Sequence, residues 1–202
     1  LFNTNSNPLL NAVTFSGNTA TRRGGGMLNE FAAPELTNVT FSGNISKDTG
    51  TAPVGGGAVL NIDSDPRFNQ VTFTSNTSAS GGAIRNIQNS NPLISNSIFW
   101  GDSTGELTSD GTGTITVVDS VVQGGFTGTN IVTANPNLGA LANNGGFTQT
   151  HALGTGSSAI DVGGLNSVCA TTDQRGVTRP QENGCDMGAY EYVTHPTPTP
   201  TA

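Results

Sequence analysis

Val13-Thr14-Phe15-Ser16-Gly17-Asn18 is written again as Val39-Thr40-Phe41-Ser42-Gly43-Asn44, and once more as Val71-Thr72-Phe73-Thr74-Ser75-Asn76. A degenerate fourth copy reads Ser97-Ile98-Phe99-Trp100-Gly101-Asp102. Pro8, Pro34, Pro66 and Pro92 each precede the phenylalanine of a copy by seven residues, and Leu10, Leu36, Phe68 and Ile94 follow those prolines at one fixed distance. Three copies are followed by Gly-Gly, a small residue, an apolar residue, one further residue and Asn: Gly24 to Asn29, Gly56 to Asn61, Gly81 to Asn86. A period of 26 to 32 residues is the first thing the fold has to explain.

One copy reads as a short stack of strands. From Pro34 to Phe41, apolar and polar residues alternate, with Leu36, Val39 and Phe41 facing a core. The alternation breaks between Leu36 and Val39, which predicts a bend or bulge. Ser42-Gly43-Asn44 is turn chemistry, since Gly and Asn tolerate left-handed backbone. Loops of unequal length follow, the largest from Ile45 to Gly55, and the Gly-Gly segment then opens another strand. No such unit can bury its apolar face alone. Stacked with parallel strands in register, about 4.8 Å apart, the units share one core. Register then places Phe15, Phe41, Phe73 and Phe99 in an internal aromatic stack. It places Asn18, Asn44 and Asn76 in one amide ladder and Asn29, Asn61 and Asn86 in a second, where stacked amides hydrogen-bond along the axis.

Composition agrees with a thin solenoid. The chain of 202 residues is 33% hydrophobic and 10% charged, with 28 Gly. Both fractions lie well below the roughly 45–50% and about 25% of ordinary globular chains. Disorder from low hydrophobicity usually comes with high charge, which this chain lacks. A net charge of −7 argues against a nucleic-acid partner. There is no transmembrane segment, since no apolar run approaches the roughly 18–20 residues that span a bilayer. Opening at Leu1 without Met and inside a repeat-like segment, the chain reads as a piece of a longer precursor.

The expected fold is therefore all-β: a right-handed parallel β-helix of five to six coils over residues 1–144, its hand following the crossover preference of parallel strands. A fifth coil is expected from Gly113 to Phe126 and a sixth from Thr129 to Leu141, with Glu106 to Thr112 as a looser turn. Residues 145–192 should form a cap over the last open coil, with Ser158 to Gly163 as a short strand. Residues 193–202 alternate Pro and Thr and read as an extended tail. Cys169 and Cys185 lie 16 residues apart, without a His or second Cys at metal-ligand spacing. A disulfide is expected over two free thiols; its loop closure is worth about 3 kcal/mol in the chain-entropy model and implies an oxidising compartment.

The pairs Phe15/Asn18, Phe41/Asn44 and Phe73/Asn76, taken with Gly24-Gly25, Gly56-Gly57 and Gly81-Gly82, resemble the repeats of polymorphic outer membrane proteins. These are surface adhesins built on a right-handed parallel β-helix. Asn143-Asn144-Gly145-Gly146, Ser158-Ala159-Ile160-Asp161, Asp173-Gln174-Arg175-Gly176, Arg179-Pro180 and Cys185 to Glu191 resemble the end of bacterial "choice-of-anchor" β-helix surface proteins. There the segment closes the helix before a linker and an anchoring region. Phe147 stands where proline is usual in that pattern and no anchoring segment follows Ala202, which leaves the mode of attachment open. Both resemblances imply an extracellular or cell-surface location.

Chemistry is sparse. The acids of the repeat region, Glu30, Glu35, Asp48, Asp63, Asp65, Asp102, Glu106, Asp110 and Asp119, do not recur at one coil position, as a glycan-cleaving groove would require. A weak calcium site at Asp63 and Asp65 lacks a supporting loop motif, so no cofactor is expected. His151 and His195 have no partner in sequence. Asp161, Asp173, Arg175, Arg179, Asp186 and Glu191 are expected to form a salt-bridge set locking the cap. Asn38, Asn44 and Asn76 fit the glycosylation sequon, with the Thr-Pro tail a better candidate for O-linked sugar. The expected role is a non-enzymatic structural or adhesin-like module that meets a host, matrix or glycan surface. End-to-end self-association into a filament is one alternative, and a glycan-active enzyme another.

Overall fold

The computed structural model describes residues 1–47 and 54–194, and every regular element among them is a strand. In chain order these are β1 (Phe2–Thr4), β2 (Leu9–Ser16), β3 (Thr19–Ala20), β4 (Met27–Glu30), β5 (Glu35–Ser42), β6 (Ile45–Ser46), β7 (Val59–Ile62) and β8 (Arg67–Thr74). There follow β9 (Ile84–Ile87), β10 (Leu93–Ser95), β11 (Ile98–Trp100), β12 (Leu107–Ser109), β13 (Thr116–Val122), β14 (Thr129–Val132), β15 (Leu138–Ala142) and β16 (Thr150–Leu153). Asp48, most of the long loop after Ile45, and the tail from His195 to Ala202 lie outside the described residues.

The chain threads two large parallel sheets in turn. One sheet has the order β1-β4-β7-β9-β12; the other runs β2-β5-β8 to β10 and β11, then to β13 and β14. Register follows the repeat: Phe15 pairs with Phe41, Phe41 with Phe73 and Phe73 with Phe99. Each pass, or rung, thus sets a residue on its counterpart. The four rings stack with centroids 4.8, 4.9 and 4.6 Å apart and interplanar angles of 6°, 1° and 9°. They lie in a core between the sheets with Met27, Leu36, Val59, Phe68, Ile84 and Ile94. The Gly-Gly segments hold the rungs this close. A Cβ on Gly25 would strike the Gly57 carbonyl, and one on Gly57 the Gly82 carbonyl.

The expected bend between Leu36 and Val39 is a single left-handed residue, Asn38 (φ +54°), inside a strand that continues on both sides. Every rung repeats it, at Ala12, Gln70, Asn96, Asp119 and Asn130, with φ between +44° and +56°. The bend turns one residue of each strand out of the core, and a column of these residues runs down the outer face of the second sheet.

Three expectations are corrected. Residues Glu106 to Thr112 are no loose turn: they contain β12, whose Leu107 packs on the core and whose residues pair with Ile84–Asn86. The sixth coil is only half present, because β14 joins β13 in parallel whereas β15 pairs antiparallel with β16. That hairpin spans the boundary expected at residue 144. Ser158 to Gly163 is a turn, closed by a bond from Ile160 N–H to the Ser157 carbonyl and by left-handed Asp161 (φ +60°), with only Gly163 bridging Cys185.

The C-terminal segment is also not stacked over the last rung. It runs along the flank of the second sheet and crosses every rung. Ile98 and Val121, which point outward beside inward Phe99 and Val122, bury there against Leu153, Ala159 and Met187 as a second core.

The ring stack sets a test. Phe41 is buried between two rings, whereas Phe15 has a ring on one side only. Phe41→Ala should lower the unfolding free energy by about 3–5 kcal/mol in urea titrations, and Phe15→Ala by clearly less. Equal losses would mean that the stack is not the main core.

Candidate functional site

The amide ladders are continuous. Asn18 Nδ2 donates to Asn44 Oδ1 at 2.9 Å, Asn44 Nδ2 to Asn76 Oδ1 at 2.9 Å, and Asn76 Nδ2 to Asp102 Oδ1 at 2.7 Å. Asn44 and Asn76 also reach the carbonyls of Phe15 and Phe41, so each amide ties rungs together beside the ring stack. The second ladder begins one rung earlier than the sequence suggested: Asn3 donates to Asn29, Asn29 to Asn61 and Asn61 to Asn86 at 2.7–2.8 Å. It ends where Ser109 takes the next register position, leaving Asn86 Nδ2 buried without a partner. Asn38, Asn44 and Asn76 are each at most 2% exposed. That agrees with placing these asparagines in structural contacts and not under a glycan, since each amide is buried and already bonded.

Two rows on the outer face of the second sheet receive the C-terminal segment. The first is the threonine of each Val-Thr-Phe copy. Gln174 Nε2 donates to Thr14 Oγ1 at 2.8 Å, Thr40 Oγ1 donates to Gln174 Oε1 at 2.7 Å, and Ala189 N–H donates to Thr72 Oγ1 at 3.0 Å. The second row is the left-handed column. Asn38 Nδ2 donates to the Thr172 carbonyl, Gln70 Oε1 accepts from Ala170 N–H, and Asn96 Oδ1 accepts from Gly164 N–H, at 2.7–2.9 Å. Asp119 accepts from Asn166 and Ser167, and Asn130 Nδ2 donates to the Val162 carbonyl. Burial pushes the Asp119 carboxyl up, but the donated bonds from Ser167, Asn166 and Asn130 outweigh it and hold the group below its usual range. The sequence reading missed this column, because its residues share a backbone position and not an identity.

The charged residues of the segment divide into two kinds. Arg175 pairs with Asp173 at 2.7 Å and lies 3.5 Å over the Tyr190 ring; Arg179 pairs with Glu191 at 2.8 Å, fully buried. Asp161 and Asp186 instead accept backbone N–H groups, from Gly184 and Asp161 respectively. The expected six-residue salt bridge is thus two ion pairs and two turn-capping carboxylates. Burial pushes Asp186 up to about 7 and raises Glu191 as well. Cys169 and Cys185 form the disulfide that fixes the loop against Gln70 and Asn96.

Of the remaining acids Glu35 is exposed, and those below are engaged or buried. Glu30 pairs with Arg23 and Asp110 with Arg85, both at 2.8 Å. Asp63 Oδ1 and Asp65 Oδ1 accept the backbone N–H groups of Asn89 and Asn91, tying one turn to the next. No three His, Cys, Asp or Glu groups gather at metal-binding distance among the described residues. Asp102 and Glu106 form a buried carboxyl pair where the first ladder ends. Asp102 Oδ2 and Glu106 Oε2 find no donor outside the pair, so the proton that the two carboxyls share makes their hydrogen bond. Burial and the neighbouring Glu106 carboxyl push Asp102 well above the carboxylate range, and burial raises Glu106.

Three ladder residues, Asn18, Asn76 and Asn86, lie within segments that match a family model. Residues 12–26 and 70–86 match the family model of the Chlamydia polymorphic membrane protein repeat. The two matches cover the Phe-x-x-Asn and Gly-Gly positions of the first repeat, and the same positions of the third. The resemblance read from Phe15/Asn18 and Phe73/Asn76 is borne out at both. Such repeats occur in bacterial outer-membrane or surface proteins. Neither curated proteins nor solved structures give a match. No helix of the described residues is long and apolar enough to cross a membrane.

The carboxyl pair sets a second test. A carboxyl whose folded pKa is raised holds a proton that the unfolded chain releases, so stability falls as pH rises from the unfolded value through the folded one. Asp102→Asn keeps the acceptor for Asn76 and puts an amide donor toward Glu106. It should raise stability by about 1–2 kcal/mol at pH 8 and by much less at pH 4. A loss of stability at pH 8 would contradict this reading of the pair.

Proposed function

We propose that the chain is a right-handed parallel β-helix serving as a non-enzymatic, extracellular, structural or adhesin-like module of a bacterial cell-surface protein. The observation that carries this reading is the repeat match at residues 12–26 and 70–86. The in-register parallel sheets support the β-helix, and the disulfide fits an oxidising exterior. A non-enzymatic role is supported by what the acids do. Glu30, Asp110 and Asp119 are held in structural contacts, and Asp63 and Asp65, which share one shallow cleft, each accept a backbone N–H there. Antibody raised against the purified chain should label intact producing bacteria; labelling seen only after permeabilisation would contradict the surface assignment.

A second reading, head-to-tail assembly into a filament, draws on the first rung. There β1 and β2 are sheet edges, Leu9 is 77% exposed, and Leu10, Val13 and Phe15 are only half-buried. A heterologous contact on this face would not close on itself. Light scattering and electron microscopy of the purified chain should then show mass rising with concentration and fibres, both lost in Leu9→Lys. Monomeric rods at every concentration would remove this second reading.

A further inference from the structure

Two departures from the repeat meet at one cleft. The residue after each phenylalanine is Ser16, Ser42 or Thr74, but in the fourth rung it is Trp100, paired in register with Thr74. The next residue is glycine with left-handed backbone at Gly17, Gly43 and Gly101, at φ +62°, +63° and +77°. In the third rung it is Ser75, which keeps φ +60°. A Cβ has open space at Gly17 and Gly43, so the cost at Ser75 is conformational and not steric. Ser75 thus keeps a glycine's left-handed backbone, as thirteen other described non-glycine residues do, but does so beside the chain's sole tryptophan.

Thr74, Ser75 and Trp100 line a cleft of about 350 Å³ with Asn135, Asn137, His151 and the start of β15 from Leu138. That is the small end of ligand-binding cavities. No Asp, Glu, Lys or Arg lines it. His151 is neutral there, its pKa lowered by burial; Nδ1 donates to the Gly139 carbonyl at 2.7 Å and Nε2 accepts from Ser42 at 2.9 Å. Asn135 Oδ1 accepts from Asn137 N–H and Asn137 Nδ2 donates to the Thr155 carbonyl. Asn135 Nδ2 and Asn137 Oδ1 make no bond to another protein group, and both residues line the cleft. An uncharged cleft with one indole, two hydroxyls and paired amide groups suits a molecule with an apolar face and a rim of hydroxyls.

We propose that this cleft binds one residue of a neutral oligosaccharide, a pyranose ring lying against Trp100 with its hydroxyls on Ser75, Asn135 and Asn137. The proposal deepens the surface-module reading by naming a ligand class, and it can fail while surface labelling stands. Since Trp100 is the only tryptophan, intrinsic fluorescence reports the cleft directly. Titration of the purified chain with chitotriose and cellotriose should give a saturable spectral shift with at least one of them, and none with an oligogalacturonate. Ser75→Gly relieves the strained backbone and should raise Tm by about 2–4 °C. The same variant should weaken binding about three- to tenfold through the lost hydroxyl contact. A merely structural serine would not separate these two readouts. No saturable shift with either neutral oligosaccharide, or binding unchanged in Ser75→Gly, would overturn the assignment.

Discussion

Everything in this molecule depends on parallel strands returning to the same register. Once Phe41 must lie on Phe15 and under Phe73, every other residue of the rung is set on its counterpart, at a strand spacing near 4.8 Å. That constraint turns ordinary side chains into columns. Aromatic rings stack, amides form ladders, and the second glycine of each Gly-Gly segment sits where any Cβ would strike a carbonyl of the next rung. It also sets a penalty, because a column must end. The first ladder ends on a buried carboxyl pair and the second on an unpartnered amide. An unmade buried hydrogen bond costs about 1–3 kcal/mol, so the end of the second ladder is a weak point of the stack.

The same register explains how the C-terminal segment holds on. A left-handed residue in each rung bends the strand and carries one side chain to the flank, and the threonine of Val-Thr-Phe faces the same side. Polar groups on that face find partners in the segment, and in the fourth and fifth rungs the threonine position becomes Ile98 and Val121, which are covered by Met187 and Leu153. The segment is a strap along the stack, tied by hydrogen bonds along its length and, over the fourth and fifth rungs, by an apolar patch as well.

The sequence is most readable where identity repeats. Phe15, Phe41, Phe73 and Phe99, and the asparagines after them, are visible because stacking rewards identical neighbours. The bend is visible too, since alternation fails between Leu36 and Val39. What fills the bend is not: Ala12, Asn38, Gln70, Asn96, Asp119 and Asn130 contact a segment that does not repeat, so each is chosen by a different partner. A search for polar residues at that one broken position would have found five of the six. Strand β12 escaped notice because it lacks the Gly-Gly lead, although Leu107 keeps the core position. The strap's course was hidden for the same reason as its docking column, since lateral packing has no period. Trp100 and Ser75 are legible as departures, but only the fold brings them to one cleft.

Hydrogen exchange tests the strap most directly. If the segment is bound across every rung, the amides of Gly164, Ala170 and Gly188, which donate to Asn96 and Gln70, should exchange as slowly as those of β8 and β11, and all should open together. Fast exchange of these three amides, while β8 and β11 stay protected, would contradict the account.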